Sequence, residues 1–138
     1  MPRAVLDPNV LVSALISPAG ASARLLLEFR AGAFELVTSP QLLAELDEVL
    51  RREKFRRYAT EAEVEVYVDL LRRESIVVDD PDPTPERLGE DPDDEYLITL
   101  ARAARVEALV SGDPHLIRLR RQIPALTPRE FLESLQKG

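Results

Sequence analysis

Residues 4–13 read Ala-Val-Leu-Asp-Pro-Asn-Val-Leu-Val-Ser, and this stretch indicates both a fold class and a candidate site. Val5 and Leu6 suit a short buried strand, which Pro8 cannot continue inside a sheet. Asp7 would therefore stand where the strand leaves the sheet, and open α/β sheets bind ligands at that carboxyl edge. Asp before Pro is equally a good helix start, with Asp7 as the N-cap. The stretch alone leaves both interpretations of Asp7 open.

Composition narrows the class of protein. The chain has 138 residues, a formal net charge of −7 and no cysteine. Disulfides, thiol catalysis and thiolate metal sites are therefore excluded, and we expect a cytoplasmic location. The acidic balance argues against a general nucleic-acid coat, but not against carboxylates that bind metal ions. At this length we expect one domain over residues 1–138. The sequence shows no signal-like segment and no run near the ~20 apolar residues that span a bilayer, so we expect no membrane association.

Short apolar strands alternate with helical patterns along the chain, which is typical of an α/β domain with a parallel sheet. Apolar runs predict strands at residues 5–6, 34–38, 75–78, 107–111 and 123–126. Apolar spacing predicts helices at residues 9–16, 22–30, 40–52, 60–73, 92–104, from 116 and from 128. Residues 79–90, with three prolines and several acids, indicate a surface loop. We therefore expect a three-layer fold, with a central parallel β-sheet of about five strands flanked by α-helices.

Two helices bring further acids toward the carboxyl edge. Glu45 lies in the second turn of the helix predicted from Pro40, at the flank of its apolar face, and Asp47 on the other flank is a fallback. Asp94 lies in the first turn of the helix predicted from Pro92, on its inward face. Asp93 lies nearer the edge of that face. Glu45 alone has a simpler interpretation as a solvated flank residue, whereas an acid on the inward face of a first turn, such as Asp94, is not placed for solubility.

Asp113 repeats the placement of Asp7, because it follows the fourth predicted strand and precedes a proline. Like Asp7, it is also a candidate helix cap. Carboxylates crowded at one edge repel one another, and a divalent cation would neutralise them. With oxygen ligands and no cysteine, the expected ion is Mg²⁺ or Mn²⁺. Such a site activates water and stabilises the charge that develops on a phosphodiester.

Four segments together resemble the PIN domain, although none is specific alone. They occur in order over essentially the whole chain: Val5–Ala14, Leu43–Leu46, Asp91–Asp94 with Leu97 and Ala101, and Leu109–Asp113. The most similar members are small bacterial PIN proteins of toxin–antitoxin pairs. The resemblance implies a PIN-like fold and an Mg²⁺- or Mn²⁺-dependent endoribonuclease acting on RNA. It also implies a homodimer, held inactive by an antitoxin protein.

The resemblance also implies roles for individual residues. It matches Asp7, Glu45, Asp94 and Asp113 to the catalytic, metal-binding acids of the family. Asn9 and Ser111 match supporting polar residues, and Asp93 stays an alternative to Asp94. One departure is Pro8, where the family usually has Thr or Ser, because proline lacks both the backbone donor and the hydroxyl.

Two basic runs are candidate contacts to the RNA backbone, since basic side chains bind phosphates and aromatic side chains stack on bases. The first run also contains Phe55 and Tyr58, and a solvated helix end is its simpler interpretation. The predicted RNA-binding residues are Arg51, Arg52, Lys54, Arg56, Arg57, Arg118, Arg120 and Arg121. His115 is either a substrate contact or, more simply, a partly exposed helix residue.

Other classes of protein fit less well. An aspartyl phosphatase needs a second Asp where Asn9 stands and a lysine near a strand end. A receiver domain needs a similar lysine, but the lysines are Lys54 and Lys137. A catalytically silent PIN-like module that binds RNA or a protein partner stays an alternative, which Pro8 and the acidic net charge favour.

Overall fold

One all-parallel sheet carries the fold. A computed structural model of the chain describes residues 1–82 and 92–137. The strands are β1 (Arg3–Leu6), β2 (Glu35–Thr38), β3 (Ile76–Val77), β4 (Ala108–Val110) and β5 (Ala125–Leu126). They lie in the order β3-β2-β1-β4-β5, so the first strand of the chain is the central one. Val5 pairs with Val37 on one side and with Leu109 on the other.

Seven α-helices within the described residues connect and cover the strands. They are α1 (Pro8–Ile16), α2 (Ala21–Arg30), α3 (Pro40–Leu50), α4 (Glu61–Glu74), α5 (Pro92–Ala103), α6 (Pro114–Ile117) and α7 (Pro128–Lys137). Helix α1 packs against α2 and α3, and α5 packs against β1 and β4. The predicted fold class, a parallel sheet flanked by helices in three layers, is confirmed.

Local sequence explains where several helices begin. The Ser39 hydroxyl accepts a hydrogen bond from the Leu42 N–H, and Pro40 occupies the first helical position of α3. Thr60 and Glu63 form a reciprocal capping box at α4. The same pattern recurs before α7, where Thr127 and Glu130 exchange hydrogen bonds of 2.9 and 3.1 Å. These helix starts were predicted from sequence.

Several element boundaries lie one or two residues from their predicted positions. Helix α3 ends at Leu50 instead of near Arg52, because the chain turns into a short 3-10 helix at Glu53–Phe55. The predicted loop at 79–90 and the predicted cap Asp91 lie largely outside the described residues. In the described part of the chain, no single helix is long and apolar enough to span a membrane, although the bent pair α1 and α2 passes that test jointly.

The hydrophobic core lies on the central strand. Ala4, Val5 and Leu6 are at most 2% exposed, and buried leucines of α1, α3 and α5 pack in the same core. A strand buried on both faces reads as a continuous apolar run, as residues 4–6 do. The first polar side chain after this run, Asp7, is consequently placed at the rim of the core and not in open solvent.

Candidate active site

The four predicted acids line one cleft at the carboxyl edge of the sheet. We call this cleft, of about 250 Å³, the acid cleft. Its lining residues are Asp7, Pro8, Asn9, Glu45, Val49, Arg52, Asp94, Leu97 and Asp113. The acids reach it from four elements: the ends of β1 and β4, helix α3 and helix α5. The structure therefore brings together residues that are up to 106 positions apart, from Asp7 to Asp113.

Asp7 combines the two interpretations that sequence left open. Its Oδ1 accepts a 2.9 Å hydrogen bond from the Asn9 N–H and so caps α1. Its Oδ2 accepts a 2.8 Å hydrogen bond from the Ser111 hydroxyl. The residue is 6% exposed, yet it lines the acid cleft. Because a carboxylate offers about four lone-pair directions, capping leaves Asp7 able to bind a further group.

Burial shapes the electrostatics of Asp7. Loss of solvation raises the pKa of its carboxyl above the ordinary value, and the negative charge of Asp113 adds to that rise. The hydrogen bonds from Asn9 and Ser111 act in the opposite direction, since they stabilise the carboxylate. The net rise means that the charged form of Asp7 costs folding free energy, because desolvation outweighs the two hydrogen bonds.

Ser111 connects the two strand ends. Its hydroxyl donates to Asp7 and accepts a 3.0 Å hydrogen bond from the Asp113 N–H, while the residue itself is fully buried. Sequence placed a hydroxyl near the end of the fourth strand, and the structure shows what this hydroxyl contacts. One side chain thus contacts both the carboxylate of Asp7 and the backbone of Asp113.

Asp113 caps α6 as Asp7 caps α1. Its Oδ1 accepts a 2.9 Å hydrogen bond from the His115 N–H. The His115 Nδ1 lies 2.9 Å from the same oxygen, with its side chain 53% exposed. His115 is thus a partly exposed helix residue that also touches a candidate site acid. Whether it contacts a substrate stays a prediction.

Glu45 is held from the opposite helix. The Tyr96 hydroxyl, on α5, donates a 2.7 Å hydrogen bond to Glu45 Oε2. Sequence reasoning missed Tyr96, because helical spacing predicts the faces of α3 and α5 but not which side chains meet between them. The fallback candidate Asp47 lies elsewhere: it forms an ion pair with Arg51, and it lines a different groove between α3 and α4.

Asp94 lines the acid cleft beside Leu97, in agreement with the inward direction predicted for it. The position of the Asp93 side chain lies outside what the structure describes. The preference for Asp94 over Asp93 therefore stays a prediction, supported by the place of Asp94 in the cleft wall. Pro8 lies in the same wall at the first position of α1, where a backbone N–H would lack a helical acceptor in any case.

The basic residues of the first predicted run occupy different surroundings. Arg51 is paired with Asp47, and Arg56 donates to the Leu50 carbonyl at the end of α3. Lys54 lies 5.1 Å from the ring centroid of Phe55, and Arg57 lies 5.3 Å from that of Tyr58. Arg52 is the member of this run that lines the acid cleft. Its position could have been found from sequence, because it follows Glu45 by seven residues, two helical turns.

The arginines of the second basic run also differ in their surroundings. Arg120 donates two hydrogen bonds to the Glu130 carboxylate, at 2.9 and 3.2 Å. Hydrogen bonds from Thr127 and then from Arg120 lower the pKa of Glu130 to about 2. Arg118 and Arg121 follow α6 and are both exposed. RNA binding by either run stays a prediction.

The donor set of the acid cleft suits a hard divalent cation, since its candidate ligands are carboxylate oxygens. The raised pKa of Asp7 is consistent with this, because a bound cation would relieve the cost of its buried charge. Among the described residues, however, no three acidic or histidine side chains already lie close enough to hold one ion. The fit therefore rests on donor chemistry and shared placement.

A five-stranded parallel sheet with acids at its carboxyl edge defines an α/β protein with a candidate ligand site at the strand ends. A sequence model described as the PIN domain matches residues 3–115, which is most of the chain. The chain belongs to the PIN domain family, and the resemblance inferred from sequence is confirmed.

Two individual proteins are similar to the chain over nearly its whole length. An uncharacterized protein of Methanocaldococcus jannaschii is 28% identical over 146 residues, which cover 98% of this chain and 92% of the relative. A chain in the crystal structure of VapBC2 from Rickettsia felis, bound to a DNA fragment from the promoter, matches with a TM-score of 0.59 and 18% identity. That match covers 91% of this chain and 98% of the other, and it supports the fold.

Proposed function

We propose that this chain is an Mg²⁺- or Mn²⁺-dependent endoribonuclease whose active site is the acid cleft. The observation that carries the proposal is the meeting of four acids from four elements in one cleft at the carboxyl edge of the sheet. Membership of the PIN domain family supports it. The proposed catalytic and metal-binding residues are Asp7, Glu45, Asp94 and Asp113, with Asn9 and Ser111 in support.

In the proposed site, some residues orient the acids and the acids hold the ion. Asp7 is oriented by the Asn9 N–H and the Ser111 hydroxyl, and Asp113 by Ser111 and His115. A divalent ion bound by the four acids would supply a water of lowered pKa and positive charge beside the scissile phosphate. The side chains of Val49 and Leu97 supply the apolar part of the same cleft wall. Fixed ligands of this kind reduce the reorganisation needed at the moment of reaction.

Cleavage of single-stranded RNA by the purified full chain tests the proposal. We expect cleavage with Mg²⁺ or Mn²⁺ and none in EDTA. Asp7→Asn and Asp113→Asn should each lower the rate at least about 100-fold, because even the partners of metal ligands are worth 10–100-fold. Metal binding by calorimetry gives a second readout, which should weaken in both variants.

A matched control is Glu133→Gln, which removes one negative charge from an exposed position of α7. Its cleavage rate should equal that of the wild type. Equal rates in all three variants would identify a contaminating nuclease and overturn the proposal. RNA binding without cleavage or metal binding would instead favour the silent PIN-like module, to which Pro8 in the cleft wall is suited.

We extend the proposal to the setting of the protein: a cytoplasmic homodimer that acts as the toxin of a toxin–antitoxin pair. The fold similarity to a chain of the VapBC2 structure supports an antitoxin partner. Growth arrest on expression of the wild type, and its absence with Asp7→Asn, would support a toxin. A single-chain mass of about 15.5 kDa in solution would exclude the homodimer.

A further inference from the structure

Arg52 differs from the other cations of its run in what surrounds it. It lies in the wall of the acid cleft, among the proposed catalytic acids. Within the part of the chain that the structure describes, its guanidinium forms no hydrogen bond or ion pair, whereas Arg51 contacts both carboxylate oxygens of Asp47 at 3.0 Å. The donors of Arg52 are therefore available at the cleft, and those of Arg51 are engaged outside it.

The backbone explains how Arg52 reaches the cleft. Helix α3 carries Glu45 and Val49 on the face toward the cleft, and Arg52 follows at the next position of the same stripe. The helix has ended by then, and the backbone at Arg52 is extended, with φ −64° and ψ 142°. The Arg52 N–H still donates to the Val49 carbonyl at 3.1 Å. This bond fixes the start of the Arg52 side chain relative to α3.

The positive charge of Arg52 matters because the acids around it are negative, as is the proposed RNA substrate. Four carboxylates repel an approaching phosphodiester, and this repulsion is strongest where the acids are closest. A guanidinium offers paired N–H donors that match two phosphate oxygens, and it stays protonated at any physiological pH. Arg52 is thus a cation of suitable shape at the place where an anionic substrate meets the acids.

We propose that Arg52 binds the phosphate group of the RNA substrate at the acid cleft, while the neighbouring cations serve mainly to stabilise the fold. This inference rests on the proposed function, since it concerns the substrate of the same site. It assigns a substrate-binding residue and predicts unequal roles for adjacent arginines. Uniform contact of the whole run with the RNA backbone is the alternative.

The test compares Arg52→Gln with Arg51→Gln, because each removes one positive charge and the two positions are adjacent. The probe is a short single-stranded RNA, with binding measured by fluorescence anisotropy in EDTA and single-turnover cleavage measured in Mg²⁺. For Arg52→Gln we expect affinity to fall about ten-fold and the salt slope of log K to decrease by about 0.7. Arg51→Gln should change affinity less than about two-fold.

Further measurements separate substrate binding from a structural role. Arg52 is exposed, so its substitution should leave the melting temperature unchanged. Arg52→Lys, which keeps the charge but not the paired donors, should fall between the wild type and Arg52→Gln.

Each outcome bears on one of the two proposals. Equal losses in the Arg51 and Arg52 variants, or no loss in either, would overturn the role of Arg52 while wild-type cleavage still supported the nuclease. A wild type that binds RNA but does not cleave it, with weaker binding by Arg52→Gln, would support Arg52 and overturn the nuclease. A wild type that neither binds nor cleaves RNA would overturn both.

Discussion

Two Asp-Pro pairs in this chain have the same local structure but different surroundings. Asp7-Pro8 and Asp113-Pro114 each follow a strand, and each aspartate caps the next helix through Oδ1. Asp7 is buried, whereas Asp113 is partly exposed. The difference comes from the sheet, because β1 is central and its helix α1 is mostly buried, while α6 is one short turn.

The comparison separates what local sequence determines from what the fold adds. The dipeptide determines the cap, and therefore the direction in which each carboxylate leaves its strand. The position of the strand determines how far that carboxylate is removed from water, and burial raises the pKa of Asp7. Local sequence thus supplies two similar candidate ligands, and the sheet makes one of them costly to charge.

Among residues that are not themselves candidate ligands, the largest effect should come from Ser111→Ala, because this hydroxyl contacts both aspartates. Its loss leaves Asp7 Oδ2 without its donor and the Asp113 N–H without its acceptor. We expect metal-dependent cleavage to fall about 100-fold and stability to fall by about 1–3 kcal/mol. Single-turnover kinetics and chemical denaturation measure the two effects.

Ser22→Ala on α2 is the control for this variant, since it removes another buried serine hydroxyl. It should leave the cleavage rate near that of the wild type. If Ser111→Ala cleaved RNA as fast as Ser22→Ala, the bridge between the two strand ends would have no part in the activity.

Tyr96→Phe extends the comparison to an acid without a helix cap. Glu45 lies within α3 and accepts a 2.7 Å hydrogen bond from the Tyr96 hydroxyl, so a residue of the neighbouring helix α5 orients its carboxylate. Because one partly exposed acid is affected and not two, we expect cleavage to fall about ten-fold. Metal affinity, measured by calorimetry, should weaken with it.

Tyr67→Phe is the matched control, because the Tyr67 hydroxyl donates an equally short bond of 2.7 Å to the Leu11 carbonyl in the core. Its loss should cost about 1 kcal/mol of stability and leave the rate unchanged. The reverse pattern, with slower cleavage in the Tyr67 variant alone, would show that the Glu45 contact is not a functional one.

The strands and the strand-end acids could be predicted because each depends on a few adjacent residues. Val5 and Leu6 followed by Asp7-Pro8 specify a buried strand that ends at a cap, and Ser39-Pro40 specifies a helix start. The parallel direction of the strands then follows from the alternation of strands and helices along the chain. Chain order alone does not give the sheet order, in which β1 is central.

Contacts between distant elements could not be predicted in the same way. Ser111 meets Asp7 across 104 positions and Tyr96 meets Glu45 across 51. Periodicity assigns a side chain to a face, but the partner on the opposing element depends on helix packing and register. Asp47 illustrates the same limit of periodicity. Helical spacing made it a fallback candidate beside Glu45, but in the packed structure it lines another groove.

Asp7→Asn should separate the two aspartates by stability in metal-free buffer. The pKa of Asp7 is raised in the folded state, so at neutral pH its charge lowers the stability of the wild type. Asn keeps the cap without the charge, and the variant should melt at a higher temperature at pH 7. The difference should shrink as pH falls through the raised pKa toward 3.8, where the unfolded wild type also becomes protonated.

The more exposed Asp113 provides the comparison for this measurement. Asp113→Asn is the control, because the Asp113 side chain is 31% exposed, and its melting temperature should differ from that of the wild type by less than that of Asp7→Asn does. Scans from pH 7 to pH 4 in EDTA compare the two variants. A lower melting temperature for Asp7→Asn at pH 7 would mean that its hydrogen bonds outweigh its desolvation.

The smallest effect should come from His115→Ala, which alters the surroundings of Asp113 alone. The His115 N–H still donates to Asp113 Oδ1 in this variant, so the cap remains and only the ring is lost. The ring is 53% exposed, and exposed ion pairs contribute about 0–1 kcal/mol. We therefore expect cleavage to change less than about two-fold between pH 6 and pH 8. A loss of ten-fold or more would assign His115 a direct contact with the substrate, because neither the cap nor the fold depends on the ring.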